Sequence, residues 1–355
     1  MQIFKYFCKE IFTALIGLTC IILLIFLSNQ FVQYLSRAAS GQLPGLVVLQ
    51  LMALEVPNLL SLLLPLGFYV AVLIAYGRLY ADSEMIALTA AGFSQKQLIK
   101  YTLLIASGVA LLVGYLVFWV NPGIYYSRAK LIRNQGIATM IKTIIPQRFR
   151  EIDGGNKVFY VDEMTSSNQK AKGIFLAEKA ANNQWKIIWA DGGALRSNDK
   201  SKQYHMLLNN GRVYQGKSGQ ADYQIFQFDK LDAPLPTPVI SVADDVRTLS
   251  TKQLLPFNNP DKNLVAELNW RLSIPMMVFV LSLLALPLSQ VHSRQGKYAK
   301  LLPALLLYVL YANFMFVGRD WLVNGVVPWW LGFWWLHGLM IALSFALIVI
   351  NKRKT

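Results

Sequence analysis

The feature that most constrains this chain is one polar middle region, roughly residues 123–267, set between two groups of apolar segments. Of the 355 residues, 55% are hydrophobic and only 15% are charged. About 20 apolar residues in a helix cross a bilayer core about 30 Å thick. We therefore predict an α-helical membrane protein with six transmembrane helices. The predicted spans are Ile11 to Phe31, Val47 to Tyr76, Tyr101 to Val120, Leu272 to Val291, Leu301 to Val317 and Val327 to Ile350.

The first apolar segment follows Lys5 and Lys9, as the apolar part of a secretory signal would. It is long and ends in Ser28-Asn29-Gln30 without a small-residue cleavage site, so we predict a retained helix. Both cysteines, Cys8 and Cys20, lie in this region. Because the polar region has none, apolar packing rather than disulfide bonds must stabilise it.

The charges between the apolar segments predict the orientation. With six spans both termini lie on one side, where the only acids are Glu10, Asp82 and Glu84. The two short loops on the other side carry only Arg37 and Arg319 as cations. The positive-inside rule therefore puts the termini in the cytoplasm and the polar region outside it. The cations on the terminal side are Lys5, Lys9, Arg78, Lys96, Lys100, Arg294, Lys297, Lys300, Lys352, Arg353 and Lys354.

The polar region alternates apolar and polar residues in short segments, a pattern typical of β-strands. Regular short strands favour an all-β sandwich or jelly roll. Asn121-Pro122-Gly123 is expected to break the third helix before this region, and Tyr125 to Ile137 to be helical. The predicted strands are Lys157 to Asp162, Gly173 to Glu178, Trp185 to Asp191, Tyr204 to Leu208, Gly211 to Tyr214 and Tyr223 to Asp229.

These patterns divide the chain into three parts. Residues 1–122 hold spans one to three, with a short cytoplasmic helix at about 82–97. Residues 123–262 form the external β domain and a proline-rich linker, Pro234 to Pro260, that returns to the membrane along an extended path. Residues 263–355 hold spans four to six.

One motif suggests a nucleotide site. Residues Gly211 to Ser218 satisfy the G-x-x-x-x-G-K-[ST] pattern of a phosphate-binding loop. That loop requires a helix after it, whereas Gly219 to Asp229 alternates like a strand, so we predict a hairpin turn instead. The scattered histidines, His205, His292 and His337, indicate neither a metal site nor a catalytic triad. We predict no catalytic and no metal-binding residues.

The cytoplasmic segment between spans two and three predicts a short amphipathic helix. Asp82 and Ser83 can cap it, and Glu84 lies in its first turn, where the helix dipole favours an anion. Gly92 can end it. Such a helix can dock into a groove on a soluble partner. An ordinary interfacial helix fits the composition equally well. Met85, Leu88 and Thr89 share one face at helical spacing.

A run of cations follows span three, with no acid before Glu151. Desolvated cations at a membrane surface require anions, which lipid phosphates can supply. A solvated basic face is the alternative. Arg271, at the start of span four, and Arg37, after span one, are predicted to border the same anionic site. The run comprises Arg128, Lys130, Arg133, Lys142, Arg148 and Arg150.

Glu55 is the only acid within a predicted apolar span. An intramembrane carboxylate indicates a functional site because its desolvation must be compensated. A structural pair with Arg271, or a place near the headgroups, is the alternative. Pro57 and Pro65 in the same span predict kinks.

Several stretches resemble the lipopolysaccharide export permeases. The likeness runs essentially end to end: three spans, a β domain and three spans. Of the two branches of this LptF/LptG family, the last two stretches look more like the LptF branch. The stretches are Leu79-Tyr80-Ala81-Asp82-Ser83-Glu84 leading into Ala91-Gly92-Phe93-Ser94, Val56-Pro57 with Leu64-Pro65-Leu66, Glu267-Leu268-Asn269-Trp270-Arg271, and Arg294-Gln295-Gly296-Lys297.

This resemblance implies a subunit of an ABC transporter in the inner membrane of a Gram-negative bacterium. Its partners would be an LptG-like permease, a cytoplasmic LptB-like ATPase dimer, and LptC-like and LptA-like bridge proteins that receive lipopolysaccharide from a periplasmic β-jellyroll. No nucleic-acid partner is implied. The chain would bind no cofactor, because ATP and Mg²⁺ belong to the ATPase. The helix at Glu84 would be the coupling helix in the ATPase groove.

The same resemblance implies that spans one and five line the gate and the lipid cavity. Family members can carry basic residues where this chain has Gln30 and Gln33, so the chain departs from the family at this phosphate contact and Arg37 is a candidate substitute for it. Two other classes of protein fit the topology. The first is a receptor with an external β domain, but this sequence shows no cytoplasmic output domain. The second is an intramembrane enzyme, but no acid and base pair is present, since Glu55 stands alone.

Overall fold

A computed structural model of the chain describes residues 2–39, 43, 45–142, 147–152, 157–165, 170–179, 184–198, 203–217, 223–234, 245–255, 261–290 and 300–352. Six helical segments in these ranges are long and apolar enough to cross a membrane, so the six predicted spans are confirmed. The helices are α1 (Gln2–Ala39), α2 (Gly45–Ala81), α3 (Glu84–Ala90), α4 (Gln95–Tyr115), α5 (Asn121–Lys142), α6 (Lys262–Ser289), α7 (Leu301–Asn324) and α8 (Trp334–Lys352).

The helices are longer than the apolar segments that predicted them. Helix α6 begins at Lys262, ten residues before the predicted Leu272, because the side chain of Asp261 accepts a hydrogen bond from the Asn263 amide and caps it. This extension brings Glu267 and Arg271 inside the span. Glu55 is therefore not the only acid in a membrane-crossing helix.

The third span does not break at Asn121-Pro122-Gly123, so that prediction is wrong. Helix α4 continues through a π-helical turn, Leu116–Val120, into α5. Pro122 has no N–H and cannot hydrogen-bond the carbonyl of Phe118, four residues earlier. The hydroxyl of Thr251 donates to that carbonyl instead, at 2.8 Å. The wider turn is tolerated because a side chain replaces the lost bond.

The helical unit comprises residues 1–33, 49–128 and 242–355. Helix α6 packs against α4, α7 and α8. Phe68, Tyr69 and Tyr76 of α2 are fully buried in the core of this unit, as are Val278 and Leu281 of α6. Helices α2 and α6 are mostly buried, whereas most side chains of α1, α7 and α8 face outward. Two central helices therefore stabilise the bundle.

The second unit, residues 34–48 and 129–241, contains one antiparallel sheet. The predicted all-β insertion is confirmed. Its strands lie in sequence order, each paired with the next, which is a meander and a simpler connectivity than the Greek keys of a jelly roll. The strands are β1 (Arg150–Ile152), β2 (Lys157–Thr165), β3 (Lys170–Lys179), β4 (Gln184–Asn198), β5 (Gln203–Lys217) and β6 (Gln224–Pro234).

One face of this sheet is an apolar core. Phe159, Val161, Ile174, Ile188 and Leu208 from four strands are buried together there. Alternate residues on a strand point to opposite faces, so the period-two pattern of the sequence produces this side of the sheet.

Residues Gly211 to Lys217 of the motif lie in strand β5, and Ser218 lies outside the described residues, so the segment is neither a phosphate-binding loop nor the predicted hairpin turn. Tyr204 to Leu208 and Gly211 to Tyr214, predicted as two strands, form this single strand. The next element described is strand β6 rather than a helix. A Cβ at Gly211 would lie 2.4 Å from the Trp189 carbonyl oxygen, so the glycine permits a close approach of β4 and β5.

Candidate functional site

Helix α3 lies between spans α2 and α4, where the sequence predicted it. Ser83 precedes it in the left-handed region (φ 62°) and makes no side-chain cap, so the predicted capping role of Ser83 is wrong. Asp82 is exposed beside it. Gly92 follows the helix at φ +90°, and the amide of Phe93 donates to the carbonyl of Leu88. The predicted termination at Gly92 is confirmed, because glycine adopts this conformation without strain.

The two faces of α3 differ in burial. Met85 is 1% exposed and belongs to the core of the helical unit, against which Leu88 also packs. Ile86 is 58% exposed, and Ala87 is exposed beside it. One face thus attaches α3 to the bundle while the opposite face presents apolar surface, an arrangement that suits a docking helix.

Glu84 belongs to a hydrogen-bond network that joins three helices. The Tyr6 hydroxyl of α1 donates to Oε2 of Glu84 at 2.7 Å. Nη2 of Arg78, in α2, donates to the Tyr6 oxygen at 3.0 Å and forms an ion pair with Oε2 of Glu10 at 3.0 Å. We call these residues the Tyr6 network. It is half-exposed, so solvent reaches its charged members.

Aromatic rings fix the helix ends around the Tyr6 network. The ring of Phe7 lies 5.4 Å from that of Tyr76 and 5.7 Å from that of Phe93, both edge-on. Phe4 meets Tyr101 in the same geometry at 5.4 Å. Edge-to-face pairs at these distances are favourable. The first turns of α1 are therefore packed against α2, α4 and the segment that follows α3.

A groove of about 430 Å³ is lined by residues of α3 and of the first turns of α1. Its lining is mostly apolar, with the carboxylate of Glu84 as its only acid among the described residues. The residues that line it are Gln2, Ile3, Tyr6, Glu84, Ala87 and Leu88.

Glu55 is 6% exposed and forms an ion pair with Arg128, Nη1 to Oε2, at 2.9 Å. The amide of Asn58 donates to its other oxygen at 3.2 Å, and the Tyr125 hydroxyl donates to Asn58 at 2.8 Å. The pair predicted with Arg271 is therefore replaced by one with Arg128. Because that guanidinium already neutralises Glu55, it is a less available phosphate ligand than the sequence suggested.

Arg271 is 2% exposed and lies at the centre of a second buried network, which we call the Arg271 network. Its Nε donates to Glu267 at 2.9 Å, and Nη1 donates to the Leu249 carbonyl at 3.0 Å and to the Thr251 hydroxyl at 3.1 Å. Nη2 donates to the Arg247 carbonyl at 3.1 Å. Arg271 was predicted to border an anionic site, and its described hydrogen bonds all go to protein groups instead.

Glu267 is shared between two cations. Its Oε2 accepts a hydrogen bond from Nη2 of Arg319, in α7, at 2.9 Å, while its Oε1 accepts the one from Arg271. Arg319 also lies over the Trp270 ring, 5.5 Å from its centroid. Through these contacts the Arg271 network joins α6, α7 and residues 245–255, and Thr251 extends it to the third span.

Arg247 contributes a surface pair beside this network. It forms three side-chain hydrogen bonds to Asp245, at 2.8, 2.9 and 3.2 Å, and lies over the Tyr125 ring. Burial opposes ionisation of Asp245, but the hydrogen bonds from Arg247 outweigh it and lower the pKa of the carboxyl group. The same bonds raise the pKa of Arg247.

The remaining predicted lipid contacts are distributed along two helices. Lys130 is exposed in α5, and Arg133 lies in α5 with its side chain outside the described residues. Arg37 is exposed in the last turn of α1. Gln33 is exposed and Gln30 half-buried on the same helix.

Tyr6, Thr251, Glu267 and Arg319 were not predicted from the sequence as members of these networks. The spacing of Glu267 and Arg271, four residues apart on a helix, was a usable signal for one ion pair. Tyr6 carried no comparable signal, since its partner Glu84 is 78 positions away.

Comparison with known proteins agrees with this architecture. The profile described as "Lipopolysaccharide export system permease LptF/LptG" matches residues 5–349. The lipopolysaccharide export system permease protein LptF of Escherichia coli K12 is 29% identical over 320 residues, which cover 88% of this chain and 84% of that protein. The protein of the same description from Shigella flexneri has the same identity and coverage. This chain, a multi-pass inner-membrane protein, belongs to the LptF/LptG family of lipopolysaccharide export permeases.

Proposed function

We propose that this chain is the permease subunit of an ABC transporter that extracts lipopolysaccharide from the inner membrane, with ATP hydrolysed by a separate LptB-like ATPase dimer. The observation that carries the proposal is helix α3, which is attached to the bundle through Met85 and presents Ile86 and Ala87 outward. Together with Glu84, these residues give an apolar docking surface that includes one carboxylate.

The proposed orientation puts the termini and α3 in the cytoplasm and the β domain in the periplasm. The positive-inside rule supports it. The cytoplasmic cations Lys5, Lys9 and Lys100 are exposed.

In the proposed mechanism, closure of the ATPase dimer displaces α3 and with it spans α2 and α4. The cavity shared with an LptG-like partner then narrows and expels the acyl chains. Each methylene shielded from water is worth about 0.8 kcal/mol, so the lipid needs an apolar path once it leaves the bilayer. The β domain is proposed to supply such a path towards LptC-like and LptA-like proteins.

Phosphates of lipid A or its core are proposed to bind the cations that follow span three. Lys130 is the best candidate, because its side chain is exposed, whereas Arg128 is held by Glu55. Photo-crosslinking of lipopolysaccharide to the purified complex tests this role. Lys130→Glu should reduce crosslinking, and Lys179→Glu, an exposed lysine on β3, is the matched control. Equal crosslinking of both variants and the unmodified protein would refute the phosphate site.

Replacement of Glu84 tests the docking role. We expect Glu84→Ala and Glu84→Lys to weaken co-purification of the cognate ATPase, with the larger loss for Lys because it reverses the charge. Glu163→Ala is the matched control, because it removes an exposed carboxylate from strand β2. Normal co-purification and export in both Glu84 variants would contradict the proposal.

A further inference from the structure

The docking helix and the first span are joined directly by one hydrogen bond. Tyr6 of α1 donates to Glu84 of α3 at 2.7 Å. The Tyr6 oxygen in turn accepts a hydrogen bond from the guanidinium of Arg78 at 3.0 Å. A cation that donates to a phenol oxygen polarises its O–H group, which strengthens the bond that this group donates to the carboxylate. Tyr6 therefore holds one oxygen of Glu84 in place and determines how the carboxylate presents the other.

The packing of α1 shows why this bond matters for the whole helix. Phe7, Ile11, Leu15 and Thr19 are buried at one residue per turn, so the first five turns of α1 are attached to the bundle. From residue 20 to residue 33, a stretch described without a gap, every side chain is half-buried or exposed. Within this chain, the position of α1 in the helical unit is therefore set by its first turns.

A close helix crossing lies at the end of the attached part. A Cβ at Gly67 of α2 would lie 2.4 Å from Oγ1 of Thr19, so the side chain of Thr19 packs directly against this glycine. Tyr6 therefore lies on one side of this crossing, and residues 20–33, which have no buried side chain, lie on the other side. A displacement of α3 would act on the Tyr6 end of α1.

We propose that Tyr6 is a positioning residue that orients Glu84 for the ATPase and transmits the movement of α3 to the first span. This inference rests on the proposed function, since it takes α3 as the docking helix. It adds that the ATPase moves α1 directly, through its first turns, as well as moving spans α2 and α4.

Binding of the cognate ATPase to the purified permease complex tests the positioning role. Tyr6→Phe keeps the ring and removes the hydroxyl, so we expect the affinity for the ATPase to fall roughly threefold to tenfold. In a Glu84→Ala background the same replacement should have no further effect, because Tyr6 acts through Glu84. Tyr76→Phe is the matched control: it removes a buried hydroxyl that bonds Thr102 at 2.8 Å without touching Glu84, and it should leave the affinity unchanged.

A spin label on the exposed Cys20 tests the transmission step. Cys8→Ser leaves Cys20 as the only cysteine of this chain. ATP with vanadate should change the spectrum of the label in the assembled complex, and Tyr6→Phe should reduce that change while Tyr76→Phe retains it. Thermal melting of each variant checks that the bundle remains folded.

The outcomes separate the two proposals. If Glu84→Ala leaves the ATPase bound as before, the docking role of α3 fails. If Glu84→Ala weakens binding but Tyr6→Phe changes neither the affinity nor the Cys20 spectrum, only the role of Tyr6 is overturned. An equal loss from Tyr6→Phe with and without Glu84 would also overturn it, because Tyr6 would then act independently.

Discussion

The two ends of the helix bundle each hold a network centred on an arginine, and the networks differ in exposure. In the Tyr6 network, the side chains of Arg78 and Glu10 are 37% and 25% exposed. In the Arg271 network, those of Arg271 and Glu267 are 3% and 4% exposed. A half-exposed pair can exchange its bonds for water at little cost, whereas a buried pair that loses one partner leaves an uncompensated charge. The first network is thus suited to rearrangement and the second to holding helices in place.

The largest effect should come from breaking the buried network at its acid. Glu267→Ala leaves the buried guanidinium of Arg271 without its counterion and removes the partner of Arg319 as well. We expect a loss of about 3–5 kcal/mol in the free energy of unfolding, measured by SDS titration of the purified protein in mixed micelles. Glu267→Gln, which keeps a hydrogen-bond acceptor, should lose less. If both variants were as stable as the unmodified protein, the Arg271 network would not stabilise the bundle.

A smaller effect should follow when the connection from Arg271 to the third span is removed. Thr251→Val keeps the shape of the side chain but deletes the hydroxyl that donates to the Phe118 carbonyl and accepts from Arg271. We expect a loss of about 1–3 kcal/mol in the same titration, since polar groups in a buried setting lose a partner.

Thr13→Val is the matched control, because the Thr13 hydroxyl bonds only the carbonyl of Lys9 in its own exposed helix turn among the described contacts. It should change stability by less than about 0.5 kcal/mol. Equal losses in the two variants would mean that the contact of Thr251 with the π-helical turn has no special importance.

The sequence predicted the number of spans and the β insertion because both depend on local patterns. About 20 apolar residues identify a span wherever it lies, and period-two alternation identifies a strand. The start of α6 could not be found in this way. Glu267 and Arg271 lower its local hydropathy, and only their mutual bond, with those to Arg319 and Thr251, makes the extension favourable.

Strand β5 illustrates the same limit in the β domain. Asn210-Gly211 has the composition of a hairpin turn, and Asn210 does adopt a left-handed conformation (φ 48°). The chain nevertheless continues as one strand, with Asn209 opposite Lys230 and Gly211 opposite Phe228. Pairing with a neighbour on each side keeps β5 a single strand, and no local pattern reveals which neighbours a strand will have.

The candidate site was likewise predicted from the sequence only where its features depend on nearby residues. The position of α3, its buried Met85 and its termination at Gly92 follow from residues within one short segment. The partners of the charged residues did not follow, because Tyr6 and Glu84, Glu55 and Arg128, and Glu267 and Arg319 are each separated by more than 50 positions. Contacts at such separations depend on how the helices pack, which composition and periodicity do not specify.

The smallest effect should come from the ion pair at the exposed end. Glu10→Ala removes the carboxylate that accepts from Arg78 at 3.0 Å, but both side chains reach solvent, so water replaces the bond. We expect a loss below about 1 kcal/mol in the free energy of unfolding. Affinity for the ATPase should remain within twofold, because the bond from Arg78 to Tyr6 and the bond from Tyr6 to Glu84 do not involve Glu10. A loss as large as that of Glu267→Ala would mean that the Tyr6 network is as fixed as the Arg271 network, and the proposed rearrangement of the docking end would then lack its physical basis.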